Sequence, residues 1–431
     1  MKGNPEKWFL LLAGLFNGTR INLGGSIALT ELAFVIIAPI LFFRMLPMFK
    51  RLGVWTALWL SMLWLGGALL SDFVVNGTYL PFAMKGIATP AVMLASLICM
   101  TYLLRRDITN IRWYVVGSAF TIVLSTFFLS RASSLGVEIS AEDAMEKTVG
   151  YKLYWLGLIT AFVLIPVKGW YTKTPQLYSI LAVLGSAVFA LLTGVRNMFL
   201  SYSVSFFLIL VGKRSFASML KLKKHLVLML IALVVVGVAV KAVYKQAVIK
   251  GYLGEEEQKK YEMQTVESES PLAMLMAGRV EFFVGLFAAS QAPVLGRGSW
   301  AFDNDNIYLD YLSRYGTEDD YKKLIMRSEK IGSGLMLIPF HSHIVTYWMW
   351  HGAFGLLFWV FVLYLLVTTL KSRMHLIPEL FGYLALTLPL YIWDVLFSPL
   401  GDRVGEATII TVCLLLRKIS KLRQQFYRSQ F

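Results

Sequence analysis

Apolar stretches recur along the chain, most of them of about 17 to 25 residues and so about long enough to cross a hydrocarbon core of about 30 Å as a helix, the first being short. They fall at 7–18, 26–43, 53–75, 85–104, 111–130, 152–167, 176–194, 197–212, 225–244, 346–369, 376–393 and 404–416. Barrel strands would alternate apolar and polar residues in segments of about ten. The run from Val54 to Val75 is instead apolar on every face of a helix. With 57% hydrophobic and 16% charged residues over 431 positions, the chain has too little polar surface for a soluble domain. The expected fold class is an all-α polytopic membrane protein of about 12 transmembrane helices. Lys2 and Lys7 precede the first apolar stretch, and no small-residue cleavage site follows it, so a retained first helix with a cytoplasmic N-terminus is expected.

Lysine and arginine concentrate in cytoplasmic loops when insertion follows the positive-inside rule. Loops on one side hold Arg44, Lys50 and Arg51, then Arg105, Arg106 and Arg112, then Lys213, Arg214, Lys221, Lys223 and Lys224. Lys371, Arg373 and the tail from Arg417 to Arg428 fall on the same side. Acidic residues gather on the other, in the loop with Glu138, Glu142, Asp143 and Glu146 and between Glu255 and Glu329. The net charge of +15 is thereby accounted for by topology and contact with anionic lipid, and nucleic acid is not an expected partner. Cys99 and Cys413, the two cysteines, both fall within apolar spans, which argues against a disulfide framework or a thiolate metal site.

This arrangement divides the chain into a transmembrane bundle over 1–244, a large outer loop over 245–345 with surface helices, and a second bundle segment over 346–431 ending in a basic cytoplasmic tail. Within the loop, residues 254–261 read as an exposed charged helix. Residues 271–293, interrupted by Arg279 and Glu281, read as a helix lying on or dipping into the membrane surface, because a further span would put the following basic loops on the wrong side. Gly296-Arg297-Gly298 forms a glycine turn that presents a cation, and Asp303 and Asp305 are a carboxylate pair able to hold a divalent metal or merely to decorate an acidic loop. Gly332-Ser333-Gly334 lacks the strand-to-helix setting of a phosphate loop.

Three of the five histidines fall between Pro339 and Gly355, where the outer loop meets an apolar helix. Tryptophan and histidine also line membrane interfaces, but a neutral imidazole here can accept a proton at the mouth of a helix bundle. At these residues the chain resembles the O-antigen ligase and polymerase superfamily of bacterial envelope glycosyltransferases. His341, Gly352 and Gly355 keep that family's spacing; Ser342 replaces a usual Asn, Trp350 stands where an acid is common, and His343 offers a competing register. Leu192-Thr-Gly-Val-Arg196 and Gly278-Arg279, with Pro293-Val-Leu-Gly296 beyond it, resemble the family's two arginine patterns. The resemblance extends from Leu177 to Gly405. The segment from Trp393 to Pro399 with Arg403 also resembles a loop of some members, with no chemistry attached to it. Read alone, Arg196 could snorkel from a helix end and Arg279 could pair with Glu281.

The resemblance implies a GT-C-like fold in the bacterial inner membrane, with both termini cytoplasmic and the active site facing the periplasm. It implies a donor glycan on undecaprenyl diphosphate and, for a ligase, lipid A–core as acceptor; for a polymerase the acceptor is a carrier-linked repeat unit. Arg196 and Arg279, with Arg297 as a further cation, would hold the diphosphate, since a guanidinium offers several donors in a planar fork. His341, or His343 in the other register, would act as general base. With arginines in that role no cofactor or metal is required. A lipid-linked oligosaccharide flippase or other transporter is the alternative of a different class, and would show polar residues midway through its spans.

Overall fold

In the computed structural model of the protein, residues 5–18, 20–22, 26–128, 175–192, 196–211, 245–246, 249–251, 280–303, 306, 308, 310, 337–338, 342–398 and 402–428 are described. Expected spans 152–167 and 225–244, the helix at 254–261 and Gly332 to Gly334 lie outside them. Helices numbered in chain order among the described residues are α1 (Pro5–Asn17), α2 (Leu29–Leu52), α3 (Trp55–Leu69), α4 (Leu80–Leu104), α5 (Ile111–Phe128), α6 (Pro175–Leu192) and α7 (Arg196–Val211). They continue with α8 (Val280–Gln291), α9 (His343–His351), α10 (Ala353–Ser372), α11 (Phe381–Phe397) and α12 (Arg403–Arg428). A two-stranded antiparallel hairpin, β1 (Arg20–Asn22) and β2 (Ser26–Ala28), joins α1 to α2. Among the described residues five segments, Leu29–Leu52, Trp55–Val75, Leu80–Leu104, Ala353–Ser372 and Pro378–Phe397, are long and apolar enough to cross a membrane.

Between helices in lipid, close backbone approach and hydrogen bonds replace the hydrophobic drive that assembles soluble bundles. Helices α1 and α5 meet this way. A Cβ at Gly14 would lie 2.1 Å from the Tyr114 carbonyl oxygen, and one at Gly117 would lie 2.1 Å from that of Leu11. Core packing elsewhere is aromatic: Trp64 of α3 stacks on Phe358 of α10 at 4.9 Å and meets Tyr347 of α9 edge-on at 4.7 Å. Helix ends are chemically unlike. The C-terminal ends of α2 and α4 carry Lys50 and Arg51, and Arg105 and Arg106 respectively, and Arg105 pairs with Glu6 of α1 at 2.8 Å. Lys371 and Arg373 close α10 near Arg417 of α12. The opposite ends of α2, α3 and α12 carry buried acids: Glu31, Asp72 and Glu406.

The expected single span at 346–369 is divided. Gly352, at a φ of +63°, ends α9 and starts α10, and the two run antiparallel as a helical hairpin. Gly355 packs on the backbone carbonyl of Tyr347, and one turn further from the bend the rings of His343 and Trp359 are 4.7 Å apart. A long apolar run could not reveal this, because the run is equally apolar on both sides of one glycine. His343, at the far end of α9, therefore stands two and a half turns, about 13 Å, from the bend.

Candidate functional site

The bend at Gly352 is held by the loop after α8. The last carbonyls of a helix have no partner within it. Here Arg297 N–H donates to Met349 O at 2.7 Å, Gly298 N–H to Trp350 O at 3.1 Å, and the Ser71 hydroxyl to Trp350 O at 2.7 Å. In return Ala353 N–H donates to Val294 O at 3.0 Å. Backbones approach this closely only through glycine: a Cβ at Gly296 (φ +75°) would lie 2.3 Å from Trp350 O, and one at Gly352 would lie 2.0 Å from Val294 O.

Under this loop runs a buried chain of side chains. Trp64 Nε1–H donates to His351 Nδ1 at 2.8 Å, His351 Nε2 meets Ser299 Oγ at 2.9 Å, and Ser299 Oγ–H donates to Asp72 Oδ2 at 2.7 Å. Asp72 Oδ1 accepts from Ser299 N–H at 2.5 Å and from the Thr78 hydroxyl at 3.1 Å. An indole nitrogen can only donate, so Nδ1 is the bare nitrogen of His351 and Nε2 carries the proton. Ser299 then accepts from histidine and donates to aspartate. That order is the reverse of a nucleophilic serine, whose hydroxyl must give its proton to the imidazole. The three residues fix the loop to the bend and are not a hydrolase triad. Asp72 sits in a π-helical turn, Leu70–Val75, that follows α3. A Cβ at Gly86 of α4 would lie 1.8 Å from Ser299 Oγ, so glycine there leaves room for the chain.

A second polar cluster lies at the first turn of α9. Ser342 caps this helix, its Oγ accepting from Val345 N–H and donating to Val395 O of α11, both at 3.3 Å. His343, fully buried, has Nδ1 3.6 Å from Oε2 of the buried Glu406. Asp394 and Asp402 lie close enough to act electrostatically on Glu406, and Arg403 and Glu406 both act on the Tyr347 hydroxyl. Arg403 is held by Glu31 in a bidentate pair, Nε to Oε1 at 2.7 Å and Nη2 to Oε2 at 2.8 Å. Asn17 at the end of α1 donates to Asp402 at 3.0 Å.

Of the residues expected from sequence, His341, Arg279 and Asp305 lie outside the described residues, and Arg196 is the first residue of α7. Arg297 is on the loop over the bend, its Nη2 donating to Gln291 Oε1 at 2.7 Å and its guanidinium 5.2 Å from the Tyr308 ring. Asp303 is buried, and its Oδ2 accepts from Tyr308 N–H at 2.9 Å. One carboxylate oxygen of the expected pair is thus engaged in ordering the turn. Among the described residues no group of three or more His, Cys, Asp or Glu side chains is placed to hold a metal ion. The structure adds Glu406, Glu31 and Asp72 to the polar residues of the bundle. Sequence reading passed over them, yet an acid inside an otherwise apolar helix is costly enough to be a signal by itself. Comparison with known proteins returned no matching family model and no matching curated relative.

Proposed function

We propose that the protein is a GT-C-like membrane glycosyltransferase of about 12 spans, which moves a glycan from undecaprenyl diphosphate to an acceptor hydroxyl at the periplasmic face of the bacterial inner membrane. The observation that carries this reading is the hairpin of α9 and α10. His341, Gly352 and Gly355 keep the spacing of the O-antigen ligase superfamily, and both glycines have a physical duty in the fold: one makes the bend, the other lets α9 lie against α10. The basic helix ends, read by the positive-inside rule, support a periplasmic side at the acidic ends and the Gly352 bend.

In this reaction the sugar–diphosphate bond already holds the driving force. Arg196 and Arg279 stabilise the leaving diphosphate, Arg297 lies on the loop between them and the histidine helix in sequence, and a histidine removes the acceptor proton. Direct attack inverts the anomeric centre. The ligase form transfers to lipid A–core; the polymerase form transfers to the next carrier-linked repeat. An envelope-glycan gel of a deletion strain separates them: loss of all glycan from the core with a growing carrier-linked pool marks the ligase, and single repeats on the core mark the polymerase.

A second reading, a lipid-linked oligosaccharide flippase or other transporter, draws on the buried ionisable residues Glu31, Asp72, His343, Arg403 and Glu406 within or beside the helices. Purified protein supplied with carrier-linked glycan and acceptor decides between the two, because only the transferase releases undecaprenyl diphosphate.

A further inference from the structure

We infer that the turn after α10 and the basic end of α12 form a seat for the phosphate of an anionic phospholipid, with Arg373, Arg417 and Arg423 as its cations. This stands apart from the glycosyltransferase reading and needs only that the chain lies in a bilayer.

Elsewhere in the bundle a guanidinium between helices is met by a carboxylate: Arg105 pairs with Glu6 at 2.8 Å and Arg403 with Glu31 at 2.7 Å. Arg373 breaks that pattern. It is half-buried at the C-terminal end of α10, its Nη1 donates to the Thr368 hydroxyl at 2.8 Å, and the charged group that acts on it is a second cation, Arg417 of α12. Partial burial and, after it, the Arg417 charge pull the Arg373 guanidinium below its ordinary pKa, yet a guanidinium keeps its proton in proteins. Among the described residues neither arginine forms an ion pair with an acid, so the two repel unless an anion from outside the chain joins them. Orientation by the positive-inside rule needs basic residues on this side, but not facing one another.

The turn that presents Arg373 is fixed. Met374, itself buried, donates its N–H to Thr369 O at 3.1 Å, Leu376 N–H donates to Arg373 O at 3.0 Å, and the His375 ring stacks on Phe381 at 4.8 Å. From α12, Arg423 Nη2 donates to Leu376 O at 3.2 Å. Six residues of helix rise about 9 Å, so Arg417 and Arg423 reach the two ends of one short turn. Phosphate oxygens are the acceptors that a guanidinium fork fits, through two parallel N–H donors.

The same stretch of α12 favours a lipid over a dissolved phosphate. Val404 to Leu416 are buried, and beyond them Leu422 and Phe426 are 49% and 62% exposed, four residues apart and so on one face of the helix. Lys421 and Arg423, also exposed, flank Leu422. Apolar side chains set among cations suit the boundary between acyl chains and anionic headgroups, whereas a dissolved anion makes no use of them.

The full chain, purified in a neutral detergent, is followed by thermal unfolding while phosphatidylglycerol is titrated in, with phosphatidylcholine and inorganic phosphate titrated in parallel. Phosphatidylglycerol should raise the unfolding temperature and the other two should not. Arg417→Gln and the more exposed Arg423→Gln should each need about fivefold more phosphatidylglycerol for the same rise, the share of one cation near a membrane surface. Lys50→Gln, a basic residue of α2 outside the seat, should titrate as wild type. Without added lipid Arg417→Gln should unfold at or above the wild-type temperature, because a repulsion has been removed. Variants Arg417→Gln and Arg423→Gln that titrate as wild type would overturn the inference, as would an equal loss in Lys50→Gln, which marks a diffuse charge effect. Phosphatidylcholine or inorganic phosphate acting as well as phosphatidylglycerol would overturn it too, and so would Arg417→Gln unfolding below wild type without lipid, which makes the arginine a structural part of the bundle.

Discussion

Asp72 accepts three hydrogen bonds and, among the described contacts, meets no cation closer than the 4.0 Å that separates it from the neutral His351. Its buried carboxyl is tolerated because Ser299 and Thr78 stand in for water. Ser299→Ala removes one donor and one acceptor from a buried chain and should cost about 1–3 kcal/mol. Asp72→Asn turns an acceptor into a donor facing the Ser299 hydroxyl or N–H, at a similar cost. Thermal unfolding in detergent checks both, and the double variant should lose less than the sum because the two act through one chain. At the proposed site the residues should part company by role. His341→Ala or His343→Ala, whichever carries the base, should lower turnover with little change in donor use. Arg196→Ala and Arg279→Ala should also raise the donor KM, and Arg→Lys should recover little, because a point charge lacks the planar fork. Initial rates at varied donor concentration measure the split.

Among the elements, the hairpin of α9 and α10 has the narrowest tolerance. Gly352→Ala forces a Cβ to within 2.0 Å of the Val294 carbonyl oxygen and places a non-glycine residue at a φ of +63°. With a ψ of −148° the bend lies in a region that essentially only glycine enters, so the conformational term alone is about 1–3 kcal/mol, and the overlap with the backbone adds to it. Loss of activity together with a lowered unfolding temperature is expected. Gly53→Ala has a similar φ of +74° but meets nothing within 4 Å, so it should show the conformational penalty without loss of activity. This hairpin also marks where the sequence is legible and where it stops being so. Apolar runs announce α2 to α4, α10 and α11, because a span must be apolar along its whole length. His341, Gly352 and Gly355 stood out by spacing, and the glycine turn at Gly296 and Gly298 by composition. The bend itself was hidden inside one apolar run. The chain from Trp64 through His351 and Ser299 to Asp72 was hidden too, since its members are scattered over nearly three hundred positions and only folding brings them together. Glu31 and Glu406 left a sequence signal, an acid in an apolar segment, that pattern reading by span count discards.

For the molecule as a whole, the basic and acidic ends of the helices define a direction across the membrane. With Cys99 and Cys413 both buried, single cysteines placed at exposed positions report this direction against a quiet background. A cysteine at Lys50 or Lys421 should be protected from an impermeant thiol reagent added outside intact cells, and one at Val294 should be labelled. Labelling in the reverse order would invert the topology and put the histidine helix on the wrong side for a periplasmic acceptor. The central claim, that histidine chemistry at the acidic end moves a glycan off its carrier diphosphate, is tested most directly by purified protein in proteoliposomes with undecaprenyl diphosphate-linked glycan and acceptor. Stoichiometric appearance of undecaprenyl diphosphate and elongated acceptor, lost when both His341 and His343 are replaced by alanine, is the predicted result. Movement of the intact lipid-linked glycan across the bilayer with no diphosphate released would contradict it.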